Sequence, residues 1–433
     1  MGKKSFWLIF LISLHLAVIL LGGYFLSPEF TLYPYLVSRG FLPYANIIDQ
    51  HFPSLIFGPF SFPSWLTTNP QPLLTVFCSL TALTDLFLFL SLVRRGIRSP
   101  QIWLLVWIVV SYWFSGNTLW LESFITFYLA IILFLGRNHK PIIGLSLGFL
   151  FSLVLLVKPT LFPFLILLFI YQKLILDRQF ITGFTLPLLI TLLFLTKFSI
   201  LSDFFNLTFT FNRDYYSKYA TKIPSLRQII ETSIVFLPPL LIFVRRRKYL
   251  PSLLILSAII PAFPRFEYTH LQPALLAIFF LVAGELSLAV SFLIPICIIL
   301  LTFFLYRNLR HNFGNFYLDK QTLRVAAALK SRPGNFLFVM GGNDLLYPLS
   351  NRVPPGLTYL PPLPWYWKNE AFAQKAILSL TTSPEALVLI KNNATIDGVN
   401  IDKSTGLIGK FIKDNYQEIE VIENYRLYQR ILK

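Results

Sequence analysis

Apolar runs long enough to enter a bilayer recur along most of this chain, and a segment in hydrocarbon has little choice of structure. Each backbone N–H and C=O there must find a partner within the protein, which leaves α-helices or closed barrels. Phe6 to Leu26 is the first run, about twenty nearly uncharged residues, which at 1.5 Å per residue crosses a core of roughly 30 Å. Further runs follow at Leu73–Leu92, Ile102–Ser115, Thr118–Leu135, Pro141–Val157, Leu161–Gln172, Ile181–Lys197, Ile229–Val244, Leu250–Phe263, Leu271–Ala283 and Leu286–Tyr306, about eleven in all. With 55% hydrophobic and 13% charged residues, the composition is that of a polytopic membrane protein and excludes a soluble domain. Lys3 and Lys4 ahead of the first run imitate a secretory signal, but no small-residue cleavage site follows, so the run is read as an uncleaved helix. The tracts broken at Gly116-Asn117 and Lys158-Pro159 are long for one helix and short for two, and the turn at Gly284-Glu285 also fits a single bent helix.

Basic residues in alternate turns set the orientation. Lys3/Lys4, Arg94/Arg95/Arg98, Arg137/Lys140, Lys173/Arg178 and Arg245 to Lys248 assign those turns to the cytoplasm. The long loop 27–71, the Lys158 turn, the Asp203–Arg227 loop, the PRFEYTH turn and everything after Tyr306 then lie outside. That face carries Arg39, Lys158, Arg213, Lys218, Lys222, Arg227 and Arg265. Singly these read as snorkelling or head-group contacts; as a set they point to an anionic ligand. The net charge of +17 is largely topology signal, and with no RNA or DNA motif a nucleic-acid partner is excluded.

Several function classes lack their signatures. The two cysteines, Cys78 and Cys297, fall in apolar runs and offer neither a disulfide framework nor metal spacing. There is no Walker A sequence, dinucleotide fingerprint or HExxH, which argues against a nucleotide-driven pump, a soluble-type dehydrogenase and a zincin.

Beyond Tyr306 the periodicity changes. A helical stretch at Asp319–Lys330, the strand-like NFLFVMGG, a helix at Glu370–Leu380, the strand-like ALVLIKNN, a helix at Leu407–Asn415 and the strands EIEVIE and YRLYQRI make a sheet of about four strands. The expected fold is therefore a membrane all-α bundle of about 11 transmembrane helices (1–306, with the long first outer loop 27–71) and a C-terminal extracytoplasmic α/β domain (307–433). LPPLPWYW, Pro-rich and aromatic, reads either as a segment on the membrane surface or as a rigid linker. Gly341-Gly342 reads as a strand-end turn, not a phosphate site.

Carboxylates at membrane depth are costly unless paired or functional. Glu29 follows the first span closely, and Asp49 and His51 lie farther along the same loop. Either acid can take a proton from an acceptor hydroxyl within hydrogen-bond reach. The structural alternative has Glu29 capping the helix after Pro28 and Asp49 pairing with Arg39; Asp85 and Glu122 likewise read as interhelical hydrogen bonds or helix-end charges.

With SPEFTLYPYLVSRGFLPYANIIDQHFP, the KPT turn at Lys158–Thr160 and PRFEYTHLQPA at Pro264–Ala274 in view, the chain resembles the GT-C superfamily of polytopic membrane glycosyltransferases, which holds protein O-mannosyltransferases and bacterial lipid A aminoarabinose transferases. The resemblance covers most of the chain. It implies a first-loop catalytic carboxylate, Glu29 by position or Asp49, because Pro28-Glu29 stands where many relatives carry an Asp-Glu pair. It also implies basic residues in other outer loops, Lys158, Arg265 and Arg213, that hold the phosphate of a polyprenyl-phosphate sugar, with His51, Glu267 and His270 as substrate contacts. The implied reaction is inverting transfer of the sugar to a hydroxyl of a lipid, glycan or protein on the extracytoplasmic face of the cell membrane. No cofactor is required, although Asp49 and His51 leave room for a divalent metal. The competing expectation is a transporter or flippase of a lipid-linked or anionic solute, against which stands the lack of a visible internal repeat. Acceptor choice is expected to reside in the Asp203–Arg227 loop and the C-terminal domain.

Overall fold

The computed structural model describes residues 3–51, 70–136, 141–263, 265–284, 293–310, 319–396, 399–401 and 405–431. The turn residues Arg137 and Lys140, the start of the run at Leu286, Pro264, Glu285 and the first-loop stretch 52–69 lie outside them. The chain divides into two compact units: Met1–Leu26, Leu74–Leu192 and Lys222–Phe316 form the first, and Ser27–Leu73, Leu193–Thr221 and Tyr317–Lys433 the second. The described part of the first outer loop thus groups with the C-terminal region, so the contacts do not divide at residue 306.

The first unit is built of apolar helices. Four helices among the described residues are long and apolar enough to cross a membrane: Lys4–Gly22, Gln71–Arg94, Arg178–Lys197 and Leu226–Arg245. Six shorter apolar helices of 10–17 residues accompany them, Pro100–Trp113, Leu121–Leu135, Ile142–Val157, Pro159–Gln172, Tyr249–Ala262 and Tyr268–Ala283. Their breaks have local causes. Helix Pro141–Val157 stops where Pro159 cannot continue it, and a 3-10 turn, Pro159–Leu161, leads into Phe162–Gln172. At Gly116 a Cβ would lie 2.1 Å from Ser111 Oγ, so the turn there admits only glycine. It feeds a short parallel pair, β1 (Phe25–Leu26) with β2 (Thr118–Leu119). Helices Pro141–Val157 and Arg178–Lys197 pack through Gly148 and Gly183, where a Cβ would sit 2.0 Å from the carbonyl oxygens of Phe180 and Leu145, close packing of the small-residue kind. Cys78 and Cys297 are both free. Asp85 receives hydrogen bonds from Trp107 Nε1 at 3.0 Å and pairs with His15 Nδ1 at 2.7 Å, the interhelical role expected of it.

The second unit is organised around a four-stranded sheet in the order β3-β4-β8-β7. β3 (Leu337–Met340) runs parallel to β4 (Leu387–Lys391); a small ribbon, β5 (Thr395–Ile396) with β6 (Val399–Asn400), follows; then β7 (Tyr416–Ile422) and β8 (Tyr425–Arg430) pair antiparallel, with β8 antiparallel to β4. Helix Lys320–Lys330 starts where Asp319 accepts from the Thr322 N–H at 2.5 Å, and Glu370–Thr382 where Asn369 accepts from the Phe372 N–H at 3.1 Å. The PWYW segment lies neither on a membrane surface nor in a linker. It forms a helical turn, Pro364–Trp367, whose Trp365, Tyr366 and Trp367 are buried in the core of this unit. Asn206–Tyr216, inside the Asp203–Arg227 loop, is a π-helix.

Candidate functional site

In the second unit the chain from Ser27 to His51 is held on both flanks. Helix Glu29–Ser38 begins directly after Pro28 and buries Phe30 to Leu36. The strand-like stretch before Asp49 pairs with the Tyr359 backbone: the Ile48 N–H donates to Tyr359 O at 3.0 Å, and the Tyr359 N–H to Asn46 O at 2.8 Å. The Tyr366 hydroxyl accepts from the Gln50 N–H at 3.0 Å, and Asn212 Nδ2 donates to Gln50 O at 3.2 Å. Asp49 is thereby fixed in place.

Its carboxylate is fully engaged. Oδ1 accepts from the His51 N–H at 2.6 Å and faces His51 Nδ1 at 2.6 Å, and the Tyr33 hydroxyl donates to Oδ2. Burial alone would raise this carboxyl, but the His51 charge and hydrogen bonds and the Tyr33 hydroxyl together hold it below its usual value. Arg39, the alternative partner, instead bonds Asn351 and lies 5.3 Å from the Tyr35 ring centroid.

Glu29 differs in kind. It is half-buried, its carboxylate accepts from Ser27 Oγ, and no cation among the described residues bonds it. Burial is the largest influence on it and the Asp49 charge adds to this, so its carboxyl is raised despite the Ser27 bond and the nearby imidazole of His51. A third acid, missed in the sequence, completes the group. Asp344 follows the strand-end turn at Gly341-Gly342, where Gly341 takes φ +67°, and the Tyr359 hydroxyl bonds it. Burial and then the Glu29 charge push its carboxyl up to about 8, and its Oδ1 has no partner among the described residues. Only that turn, at the carboxyl end of a strand, hinted at a site.

The structure thus brings together Glu29, Asp49 and His51 and adds Tyr33, Asp344 and Tyr359. Arg213 is placed otherwise: it is largely exposed and pairs with its neighbour Asp214 at 2.6 Å.

The first unit gathers the other expected residues around two carboxylates. Glu122, 2% exposed, faces Lys158 Nζ at 2.8 Å and His270 Nδ1 at 2.6 Å, both on Oε1, while its Oε2 has no partner among the described residues. Glu122 sits in the first turn of Leu121–Leu135, Lys158 at the break before Pro159, and His270 in the 3-10 turn Tyr268–Leu271. Glu267 accepts from Arg265 at 2.8 Å and Lys222 at 3.3 Å, and the Phe266 N–H donates to Lys222 O at 2.9 Å. Among the described residues no cluster of three or more His, Cys, Asp and Glu residues has the form of a metal site.

No protein-family model matches the sequence, and no curated protein matches it. The fold does have solved counterparts. The crystal structure of ArnT from Cupriavidus metallidurans bound to undecaprenyl phosphate aligns over 98% of both chains with a TM-score of 0.58 and 11% sequence identity. The Archaeoglobus fulgidus oligosaccharyltransferase complex with Zn and sulfate aligns over 89% of this chain and 68% of its own at a TM-score of 0.44 and 11% identity, too loosely to carry an argument. At this identity the likeness is one of fold alone, and the fold is the one seen in ArnT.

Proposed function

We propose that this protein is a membrane glycosyltransferase that takes a sugar from a polyprenyl-phosphate donor and delivers it to an acceptor hydroxyl, with Glu29 as general base. The observation that carries the reading is the division of labour among the carboxylates. Asp49 has both oxygens occupied and is buried, so it orients His51 and cannot readily receive a proton. Glu29 is partly open, has no counter-cation among the described residues and has a raised carboxyl, and a base closer to neutrality is the better proton acceptor.

In the reaction, Glu29 takes the proton of the acceptor hydroxyl as its oxygen attacks the anomeric carbon. The bond from that carbon to the phosphate oxygen breaks with inversion, and the polyprenyl phosphate leaves with the electron pair. Cations stabilise the charge gathering on the phosphate. Lys158 and Arg265 are assigned this role as the cations held beside Glu122 and Glu267; Arg213, exposed and paired with Asp214, supports it less. Glu267 holds Arg265 and Glu122 holds Lys158; Glu267 and His270 face the substrate, and His51 contacts the sugar or acceptor. The scheme needs no metal. The remaining features of the reading are about eleven spans, a cytoplasmic N-terminus, and a C-terminal α/β domain outside that governs acceptor choice together with the Asp203–Arg227 loop.

The test is sugar release or transfer from labelled undecaprenyl-phosphate hexoses and pentoses by protein purified in lipid. The proposal expects product with wild type and its loss with Glu29→Gln while donor binding persists. A wild type that leaves every donor intact but carries solute across sealed vesicles makes the protein a transporter instead.

A further inference from the structure

Three helices that carry the Glu122 cluster at one end converge at the other on a cavity of about 480 Å³. Glu122 opens helix Leu121–Leu135, which ends at Gly136; Lys158 precedes the tract that ends at Tyr171 and Gln172; His270 precedes Gln272–Ala283, which ends at Gly284. About thirteen residues of helix at 1.5 Å each separate the ends by roughly 20 Å. The fourth wall is the end of Pro70–Arg94, with Arg94 and Arg95.

Among the described residues the wall of this cavity presents more donors than acceptors. The Arg95 guanidinium lies 3.8 Å from the Phe280 ring centroid and donates to Phe280 O at 3.3 Å and to the Tyr171 hydroxyl at 3.0 Å. Tyr171 accepts that bond, which leaves its own O–H to donate. Arg94 donates to Phe134 O at 2.8 Å and is otherwise exposed. Neither arginine pairs with a carboxylate among the described residues. Gln172, on the same wall, is only 2% exposed, and its Nε2 has no hydrogen-bond partner among the described residues. Capping of helix ends accounts for one bond of each arginine. It accounts for neither the space nor the unpartnered amide. Helix C-termini bring partial negative charge, which the bonds to Phe134 O and Phe280 O offset, leaving the remaining guanidinium donors for a ligand.

We propose that this cavity is a second anion site, for a phosphate group, distinct from the transfer site and at the opposite ends of the same helices. Phosphate oxygens only accept, they match the fork of a guanidinium, and a volume of this size admits a phospholipid head group. Arg94 and Arg95 belong to the turn that the basic-residue rule places in the cytoplasm, where basic pockets between spans meet anionic head groups.

The experiment measures binding of short-chain phosphatidylglycerol and of inorganic phosphate to detergent-purified protein, by native mass spectrometry and calorimetry, for wild type, Arg94→Gln and Gln172→Leu. The expected result is at least about tenfold weaker binding in each variant, with sugar transfer unchanged. Tight phosphatidylglycerol with weak phosphate identifies a lipid head group; comparable affinity for both identifies a free phosphate compound. Wild type that binds neither, or variants that bind as wild type does, overturns the proposal. So does a phosphate site that appears only in Glu285→Gln, since the anion would then be the chain's own carboxylate.

Discussion

The two units handle charge in opposite ways. Around Glu29 the second unit sets three carboxylates against one imidazole, and the consequence is a protonated Asp344, a raised Glu29 and a fully bonded Asp49. Around Glu122 the first unit sets one carboxylate against an ammonium and an imidazole. An excess of carboxylate in a poorly solvated place stores a proton acceptor. An ammonium held by one buried counter-ion keeps positive charge in position for an arriving anion. The same residue types thus suit proton removal in one unit and phosphate in the other.

The sharpest way to break this contrast is to neutralise each carboxylate in turn. Glu29→Gln is expected to lower the transfer rate about 1,000-fold with donor affinity retained, the loss typical of a missing general base. Glu122→Ala acts on the other unit and through stability: with Glu122 gone, Lys158 keeps its charge without a partner and His270 loses its hydrogen bond, and the loss is roughly 3 kcal/mol at most, since both retain some exposure. It reads out as a lower melting temperature, and a Lys158→Met/Glu122→Gln double variant recovers the stability while still losing donor affinity. Equal loss of stability in the single and double variants would show that the pairing is not what matters there. Asp49→Asn falls between fold and chemistry. His51 loses its orientation and the rate drops about 100-fold, with less effect on KM than on kcat.

Asp344 is tested through the pH dependence of stability, not through rate. Its carboxyl is raised in the folded protein, so the fold binds a proton that the unfolded chain has lost, and stability declines as pH rises from about 4 towards 8. Asp344→Asn removes that slope. Its melting temperature is expected to exceed that of wild type by more at about pH 8 than at about pH 5, and a constant difference would show that the Asp344 carboxyl is not raised in the fold.

Much of this was legible in the sequence where the cause is local. Apolar runs, the Pro159 and Gly116 breaks, the four strands and the helix after Asp319 depend on a few neighbouring residues, and they stand where the pattern puts them. Glu29, Asp49 and His51 were legible as chemistry on one short loop. Asp344 was not, because its proximity to Glu29 arises only when three distant stretches of chain fold into one unit. Trp365 to Trp367 misled for a related reason: aromatic and Pro-rich sequence looks alike at an interface and in a core, and burial decided the matter. The Asp49–Arg39 pairing failed because Asn351 and the Tyr35 ring, also supplied from within the second unit, take up that guanidinium.

The central claim is that Glu29, kept above the ordinary glutamate range by its surroundings, is the group that accepts the proton. The pH dependence of kcat/KM for sugar transfer from an undecaprenyl-phosphate donor tests it directly. The account predicts an acid limb above the ordinary glutamate value of about 4.5 that disappears in Glu29→Gln along with nearly all activity. A limb below the carboxylate range that survives in Glu29→Gln and vanishes in Asp49→Asn would contradict it and make Asp49 the base.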